Sequence, residues 1–104
     1  MILIALGANL PGTFGTPEDT LEAAKTALKV RGITILKSSS IWLTEPVPVS
    51  DQPLYRNAVI SIETNLSLMA LFKMLKRIER DFGRTNGERN APRVLDLDIL
   101  SYGK

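Results

Sequence analysis

Apolar side chains along this chain follow two rhythms, one of period two and one of period three to four. Met1-Ile2-Leu3-Ile4-Ala5-Leu6 is apolar throughout and predicts a strand over residues 1–6, central in its sheet. Gly7 to Gly15, broken by Pro11 and Gly12, reads as a loop. Thr16 then suits a helix N-cap, with Pro17 at the first helical position and Asp19 completing a capping-box-like pair. Leu21, Ala24, Ala27 and Leu28 recur at helical spacing until Gly32 stops the helix. Residues 33–43 alternate, with Ile33, Ile35, Ile41 and Leu43 on one parity, and predict a long second strand. A polar, proline-rich loop spans Thr44 to Pro53, and residues 57–64 predict a third strand with Ala58, Ile60 and Ile62 on one face. Ser67 caps a second helix whose inner stripe is Leu68, Leu71, Phe72, Leu75, Ile78 and Phe82, and Gly83 ends it. After a loop from Arg84 to Pro92, residues 93–100 predict the fourth strand.

The order βαββαβ is that of an α+β protein. It predicts a ferredoxin-like split βαβ sandwich, with a four-stranded antiparallel sheet covered by two helices on one face. With no internal repeat or linker, residues 1–104 read as a single domain.

The fourth strand carries the most informative chemistry. Hydrophobic residues fill Val94-Leu95-Asp96-Leu97-Asp98-Ile99-Leu100 except at two carboxylates. A strand rises roughly 3.3 Å per residue and alternates its faces, so Asp96 and Asp98 project the same way, about 6.5 to 7 Å apart. Leu95, Leu97 and Ile99 then point to the opposite, buried face. Two such carboxylates repel unless a cation sits between them, and Mg²⁺, held by one or two carboxylates plus substrate phosphates, meets that need. Arg93 just upstream offers a planar fork for phosphate. The competing reading is a plain polar outer face of a sheet.

Composition narrows the chemistry. The chain has no cysteine and no histidine, which removes thiolate nucleophiles, cysteine-zinc sites and the commonest general base. What remains is carboxylate, arginine, lysine, tyrosine and a hard metal ion. No apolar run is long enough to span a membrane, and the N-terminus lacks the basic flank of a signal peptide, so a cytoplasmic protein without membrane partners is expected. Between Lys73 and Arg93 seven cations face three anions, a local basic region that suits an anionic substrate. The stretch holds a single aromatic, Phe82, and lacks the interleaved aromatics of an RNA-binding sheet, so nucleic acid is not expected as a partner.

Other features keep two readings each. The glycines of the first loop follow a strand and precede a helix, but the phosphate-loop lysine and hydroxyl are missing, which favours a plain turn; Gly7 can also admit a close approach of another segment. The proline-stiffened loop from Thr44 to Pro53 suits recognition of a flat polar ring, or is only a crossover. In Tyr55-Arg56-Asn57 the amide can donate and accept at once, matching a heterocycle edge, and Tyr55 can stack on a ring, although both residues are common in strands and turns. Lys76, Glu79 and Arg80 share one polar side of the second helix, either as a solvated face or as part of a site that Arg84, Arg89, Arg93, Asp96 and Asp98 complete.

Taken together, these pieces resemble the 6-hydroxymethyl-7,8-dihydropterin pyrophosphokinase family. The resemblance rests on Leu6-Gly7-Ala8-Asn9-Leu10, on Ser38-Ser39-Ser40 leading to Thr44-Glu45-Pro46, on Asp51-Gln52-Pro53-Leu54-Tyr55-Arg56-Asn57-Ala58, on Ile78-Glu79 running to Gly83-Arg84, and on Pro92 through Ile99. It implies transfer of pyrophosphate from ATP to the pterin hydroxymethyl in folate biosynthesis. Asp96 and Asp98 would hold two Mg²⁺ ions, and Arg84, Arg89 and Arg93 would contact phosphates. Asn57 would hydrogen-bond the pterin, Tyr55 would line its ring, and the backbone of Thr44 and Val47 would read its polar edge. Lys76, Glu79 and the backbone of Ile99 would face the nucleotide. Two departures accompany it. Asn90-Ala91 replaces an aromatic-glycine pair before Pro92, and the family continues several tens of residues past the position of Gly103 with further ATP and pterin contacts. The resemblance therefore also implies an alternative for a chain ending at Lys104: a weakly active or non-catalytic pterin-binding remnant, prone to self-association in a family of monomers.

Overall fold

Six uncharged apolar residues suit a strand flanked on both sides, and that is where they lie. The computed structural model describes residues 1–45, 53–83 and 94–103. Within them the chain forms β1 (Ile2–Ala8), α1 (Pro17–Val30), β2 (Thr34–Ser38), β3 (Trp42–Thr44), β4 (Tyr55–Glu63), α2 (Leu68–Asp81) and β5 (Asp96–Ser101). The sheet runs β2-β4-β1-β5, with β3 also on β4, and every pairing is antiparallel. Both helices cover one face, where Ile4, Leu6, Ala8, Ala58, Ile60, Ile62, Leu95 and Leu97 meet Leu21, Ala24 and Leu28 of α1 and Leu71, Leu75 and Ile78 of α2 in a single buried cluster. The α+β class, the two helices and the antiparallel order are as the pattern predicts.

The helix starts also follow the sequence. Thr16 Oγ1 accepts the Asp19 N–H at 3.1 Å and the Asp19 carboxylate accepts the Thr16 N–H at 3.0 Å, a complete capping box. Ser67 Oγ accepts the Ala70 N–H at 3.1 Å. Gly83 ends α2 at φ +103°, a left-handed conformation open to glycine at little cost.

Three expectations are corrected. The long second strand over 33–43 is two strands, β2 and β3, lying along the same edge of β4, so the four expected lanes hold five strands. The break falls at Ser39, whose N–H donates to the Val59 carbonyl at 2.8 Å while its Oγ accepts the Val59 N–H at 2.9 Å. A side chain there replaces a backbone acceptor, so β4 keeps its ladder satisfied while the edge bends. Ile41 and Leu43, placed by parity with the buried set, are exposed. Second, β1 runs on through Gly7 and Ala8, which the reading assigned to a loop; the turn comes later, where Gly12 and Gly15 exchange backbone bonds at 3.0 and 3.1 Å. The close approach is at Gly12, where an added Cβ would stand 2.5 Å from Val94 Cγ1. Third, Leu68 and Phe72 of the expected inner stripe are exposed, because the first turns of α2 lie beside the edge strand β5 rather than under the sheet.

Candidate active site

The face of the sheet without helices is built by strand alternation. On β4, Ala58, Ile60 and Ile62 turn to the core, which sends Tyr55, Asn57 and Val59 to the open side. Leu95, just before β5, and Leu97 within it are buried, and Asp96 and Asp98 project oppositely. Pairing register then sets one transverse row, Trp42–Asn57–Gly7–Asp96, across four strands. The adjacent row is Val59–Ala5–Asp98. Neighbouring strands lie about 4.8 Å apart, so Asn57 and Asp96 face the same side about 10 Å from one another. Gly7 fills the lane between them with no side chain.

The corner at Asn57 is pre-organised. Its Nδ2 donates to Thr44 Oγ1 at 2.9 Å, to the Trp42 carbonyl at 3.3 Å and to the Tyr55 carbonyl at 3.4 Å. Three acceptors around one nitrogen fix the amide orientation and leave Oδ1 aimed over β1, where a Cβ on Gly7 would meet it at 3.5 Å. Tyr55 Cδ1 stands 3.8 Å from the same point. The sequence reading gave Asn57 both halves of its amide for a ligand; the donor half is committed to the protein, and the acceptor half faces the open lane. Trp42, 44% exposed, was missed, although it shares parity with Thr44 and so flanks Asn57. The buried Asn9 donates from Nδ2 to the Pro53 carbonyl at 3.2 Å, tying the end of β1 to the approach to β4.

The acidic corner is open by contrast. Asp98 is exposed, Asp96 half-buried. Among the described residues no three histidine, cysteine or acidic side chains form a cluster that could cage a metal. Two carboxylates on an open strand fit Mg²⁺, which keeps waters and takes substrate phosphates as ligands, and would not fit a cage-held ion. Val47, Arg84, Arg89 and Arg93 lie outside the described residues.

On α2 the reading of Lys76, Glu79 and Arg80 as one polar side is corrected. Glu79 is 1% exposed, so it lies on the core side and does not present its carboxylate to solvent, where the resemblance had it facing the nucleotide. Its Oε2 accepts the Leu97 N–H at 2.6 Å and its Oε1 pairs with Lys76 Nζ at 3.2 Å. Lys76 also stands 5.2 Å from the Phe72 ring centre. Beyond β5, a groove of about 630 Å³ runs between Leu68, Met69 and Phe72 of α2 and Asp98, Ile99 and Leu100 of β5. Because the Leu97 N–H points away from β1, alternation in the antiparallel ladder turns the Ile99 N–H and carbonyl to that same free edge. The geometry therefore gathers a hydrogen-bonding aromatic corner, a carboxylate pair and an edge with donor and acceptor around one face.

The model of a family described as 7,8-dihydro-6-hydroxymethylpterin-pyrophosphokinase matches residues 3–103. A Haemophilus influenzae protein named 2-amino-4-hydroxy-6-hydroxymethyldihydropteridine pyrophosphokinase is 45% identical over 96% of this chain and 61% of its own length. Its Bacillus subtilis namesake is 37% identical over 97% of the chain and 59% of its length. A Pisum sativum protein named folate synthesis bifunctional protein, mitochondrial, is 43% identical over 99% of the chain, which covers 19% of that protein. The chain thus spans about three fifths of the bacterial relatives and a fifth of the plant one.

Proposed function

Because the chain belongs to the 7,8-dihydro-6-hydroxymethylpterin-pyrophosphokinase family, we propose that it transfers the pyrophosphoryl group of ATP to 6-hydroxymethyl-7,8-dihydropterin in folate synthesis. The observation that carries this reading is the row Asn57–Gly7–Asp96, which puts an amide and a carboxylate pair on one face with a bare lane between, an arrangement that suits a polar ring beside metal-bound phosphates. In the reaction the pterin hydroxyl oxygen bonds to the β-phosphorus of ATP, the bond from that phosphorus to the α-β bridging oxygen breaks, and AMP leaves as the hydroxyl loses its proton.

The roles proposed are those the family resemblance implies, and for Asn57, Tyr55, Thr44, Asp96 and Asp98 the shared open face supports them. Asn57 Oδ1 accepts a ring N–H of the pterin, Tyr55 lines the ring, and the backbone of Thr44 and Val47 meets its polar edge. Asp96 and Asp98 hold two Mg²⁺ ions. When bound, these supply charge neutralisation for the phosphates and alignment of the oxygen and phosphorus, the two contributions on which phosphoryl transfer mainly depends. The Ile99 backbone at the free edge pairs with the adenine, Lys76 faces the nucleotide, and Arg84, Arg89 and Arg93 contact phosphate. No histidine is needed for this chemistry, and the chain has none.

The partners on this reading are two small molecules, the pterin and ATP. A cytoplasmic setting, expected from the sequence, belongs to the same proposal; among the described residues no helix is long and apolar enough to cross a membrane. Both corners stand on one face, which favours the enzyme over a remnant that only binds pterin. The test is AMP release from ATP. It is expected only when the pterin and Mg²⁺ are both present; release indifferent to either overturns the proposal.

A further inference from the structure

Resting on that reading, we propose that Glu79 is a positioning residue that holds the metal-bearing strand by its backbone. Among the described residues β5 pairs only with β1, so its outer edge carries backbone groups that no strand satisfies. The N–H of Leu97, midway between Asp96 and Asp98, is one of them. Glu79 reaches it from α2 and accepts it at 2.6 Å, with the side chain 1% exposed.

Such a bond is short and charge-assisted, of the stronger kind. A carboxylate taken out of water is costly unless paired and hydrogen-bonded, and here Lys76 and the Leu97 N–H supply both. The Leu97 side chain is itself buried, so this residue is fixed at its side chain by the core and at its nitrogen by α2. With Leu97 pinned, Asp96 and Asp98 project from its two sides opposite Gly7 and Ala5, and their spacing is set before any cation arrives. Two like charges on an edge strand otherwise relieve repulsion by fraying that edge. Outer-shell groups of this type, which orient ligands without touching the ion, typically change metal affinity 10- to 100-fold when altered.

Two conservative variants separate position from charge. Glu79→Gln keeps an acceptor at the same reach and removes the charge. Glu79→Asp keeps the charge and withdraws it by about 1.5 Å, beyond hydrogen-bond range of Leu97. ATP binding is titrated with Mg²⁺, pterin binding is measured without metal, and the Leu97 amide proton is followed by NMR. The Mg²⁺ concentration for half-maximal ATP binding is expected to stay within about threefold in Glu79→Gln and to rise about 10- to 100-fold in Glu79→Asp. The Leu97 amide proton is expected to move upfield in Glu79→Asp only, and pterin affinity to hold in both. Wild-type Mg²⁺ dependence in Glu79→Asp overturns the proposal. Equal loss in the two variants overturns it in favour of charge alone, and a parallel fall in pterin affinity overturns it in favour of a general loss of fold. Asp96→Asn in the same titration keeps the premises apart: unchanged Mg²⁺ dependence there defeats the metal assignment, whatever the Leu97 amide reports.

Discussion

β4 and β5 flank β1 with ladders of the same antiparallel kind, yet they present their functional groups in opposite ways. β4 has nine residues and is paired on both sides, to β1 and to β2 and β3. Its Asn57 is neutral, and three protein acceptors hold its donor half. β5 has six residues and, among the described residues, one strand neighbour. Its carboxylates stand at the rim, with Asp98 exposed. A neutral amide can be satisfied within the protein and still offer one acceptor. A carboxylate that is to take a hydrated cation, as proposed for Asp96 and Asp98, cannot be closed in, so its order has to come from the backbone beneath it. Inner strands therefore suit ring recognition, and an edge strand suits charge, provided something pins the edge.

The sharpest way to break this comparison is to remove one rim charge. Asp96→Asn or Asp98→Asn is expected to weaken Mg²⁺-dependent ATP binding about 100-fold or more, roughly 2.8 kcal/mol. Pterin binding without metal should hold. For Asp98→Asn the melting temperature should also hold, because Asp98 is exposed and substitutions at the surface usually stay within about 0.5 kcal/mol. Calorimetric titration and a thermal melt read both; a variant that unfolds outright makes the carboxylates structural.

At the inner strand, Asn57→Ala is expected to cost pterin binding about 1 to 3 kcal/mol, the usual loss when a buried ring group loses its partner. It also leaves Thr44 Oγ1 without the amide that donates to it, so some melting temperature should go with it. This is the reverse of what is expected of Asp98→Asn, where ligand binding should fall and the fold should hold. Matching titration curves for Asn57→Ala and wild type would remove Asn57 from the pterin corner.

How much of this was readable in the chain follows the same division. Local rules were legible: Thr16 and Asp19 form the capping box that their spacing announces, Ser67 caps α2, and the alternation through Leu95 and Leu97 puts Asp96 and Asp98 on the open face. What was misread depends on partners distant in sequence. Glu79 read as one charge on a polar side of the helix, solvated or part of a site, because nothing local tells of an edge N–H at Leu97, eighteen residues on. Leu68 and Phe72 fit the helical stripe, but the sheet beneath them ends at β5. The split of the second strand turns on Ser39 meeting Val59, twenty residues away. Gly7 read as the start of a loop, since a glycine weakens a strand interior and often marks a bend. Val47, Arg84, Arg89 and Arg93 lie outside the described residues, and the roles expected of them rest on the sequence.

Gly7→Ala asks whether the bare lane matters to both flanking strands. The added Cβ would stand 3.5 Å from Asn57 Oδ1 and 3.8 Å from Tyr55 Cδ1, ordinary contact distances. Folding should tolerate it, and losing a strand glycine can even stabilise by about 0.5 kcal/mol. The methyl nevertheless occupies the space over which Asn57 is proposed to meet the pterin, so pterin binding is expected to fall about tenfold, near 1.4 kcal/mol. A variant that binds pterin as wild type does, at an equal or higher melting temperature, places the ring away from Gly7.

The smallest effect is expected where β4 is held most redundantly. Arg56 Nε meets the Glu18 carboxylate at 3.2 Å, but Arg56 Nη1 also donates to the Leu54 carbonyl at 2.8 Å, so losing one contact leaves the other. The Glu18 carboxyl is held below its ordinary value, first by a backbone N–H of the α1 N-terminus and then by Arg56. A lowered carboxylate pKa stabilises the fold above the unfolded-state value and loses that contribution as the pH falls through the lowered one. Glu18→Gln should therefore melt slightly below wild type at neutral pH, and the gap should close as the pH drops past the carboxylate range. Solvent and salt screen such an exposed pair, so the gap stays small throughout and shrinks further with added salt. A large drop at neutral pH, or a gap that widens in acid, would mean that β4 also hangs on a single anchor, and the contrast with β5 would fail.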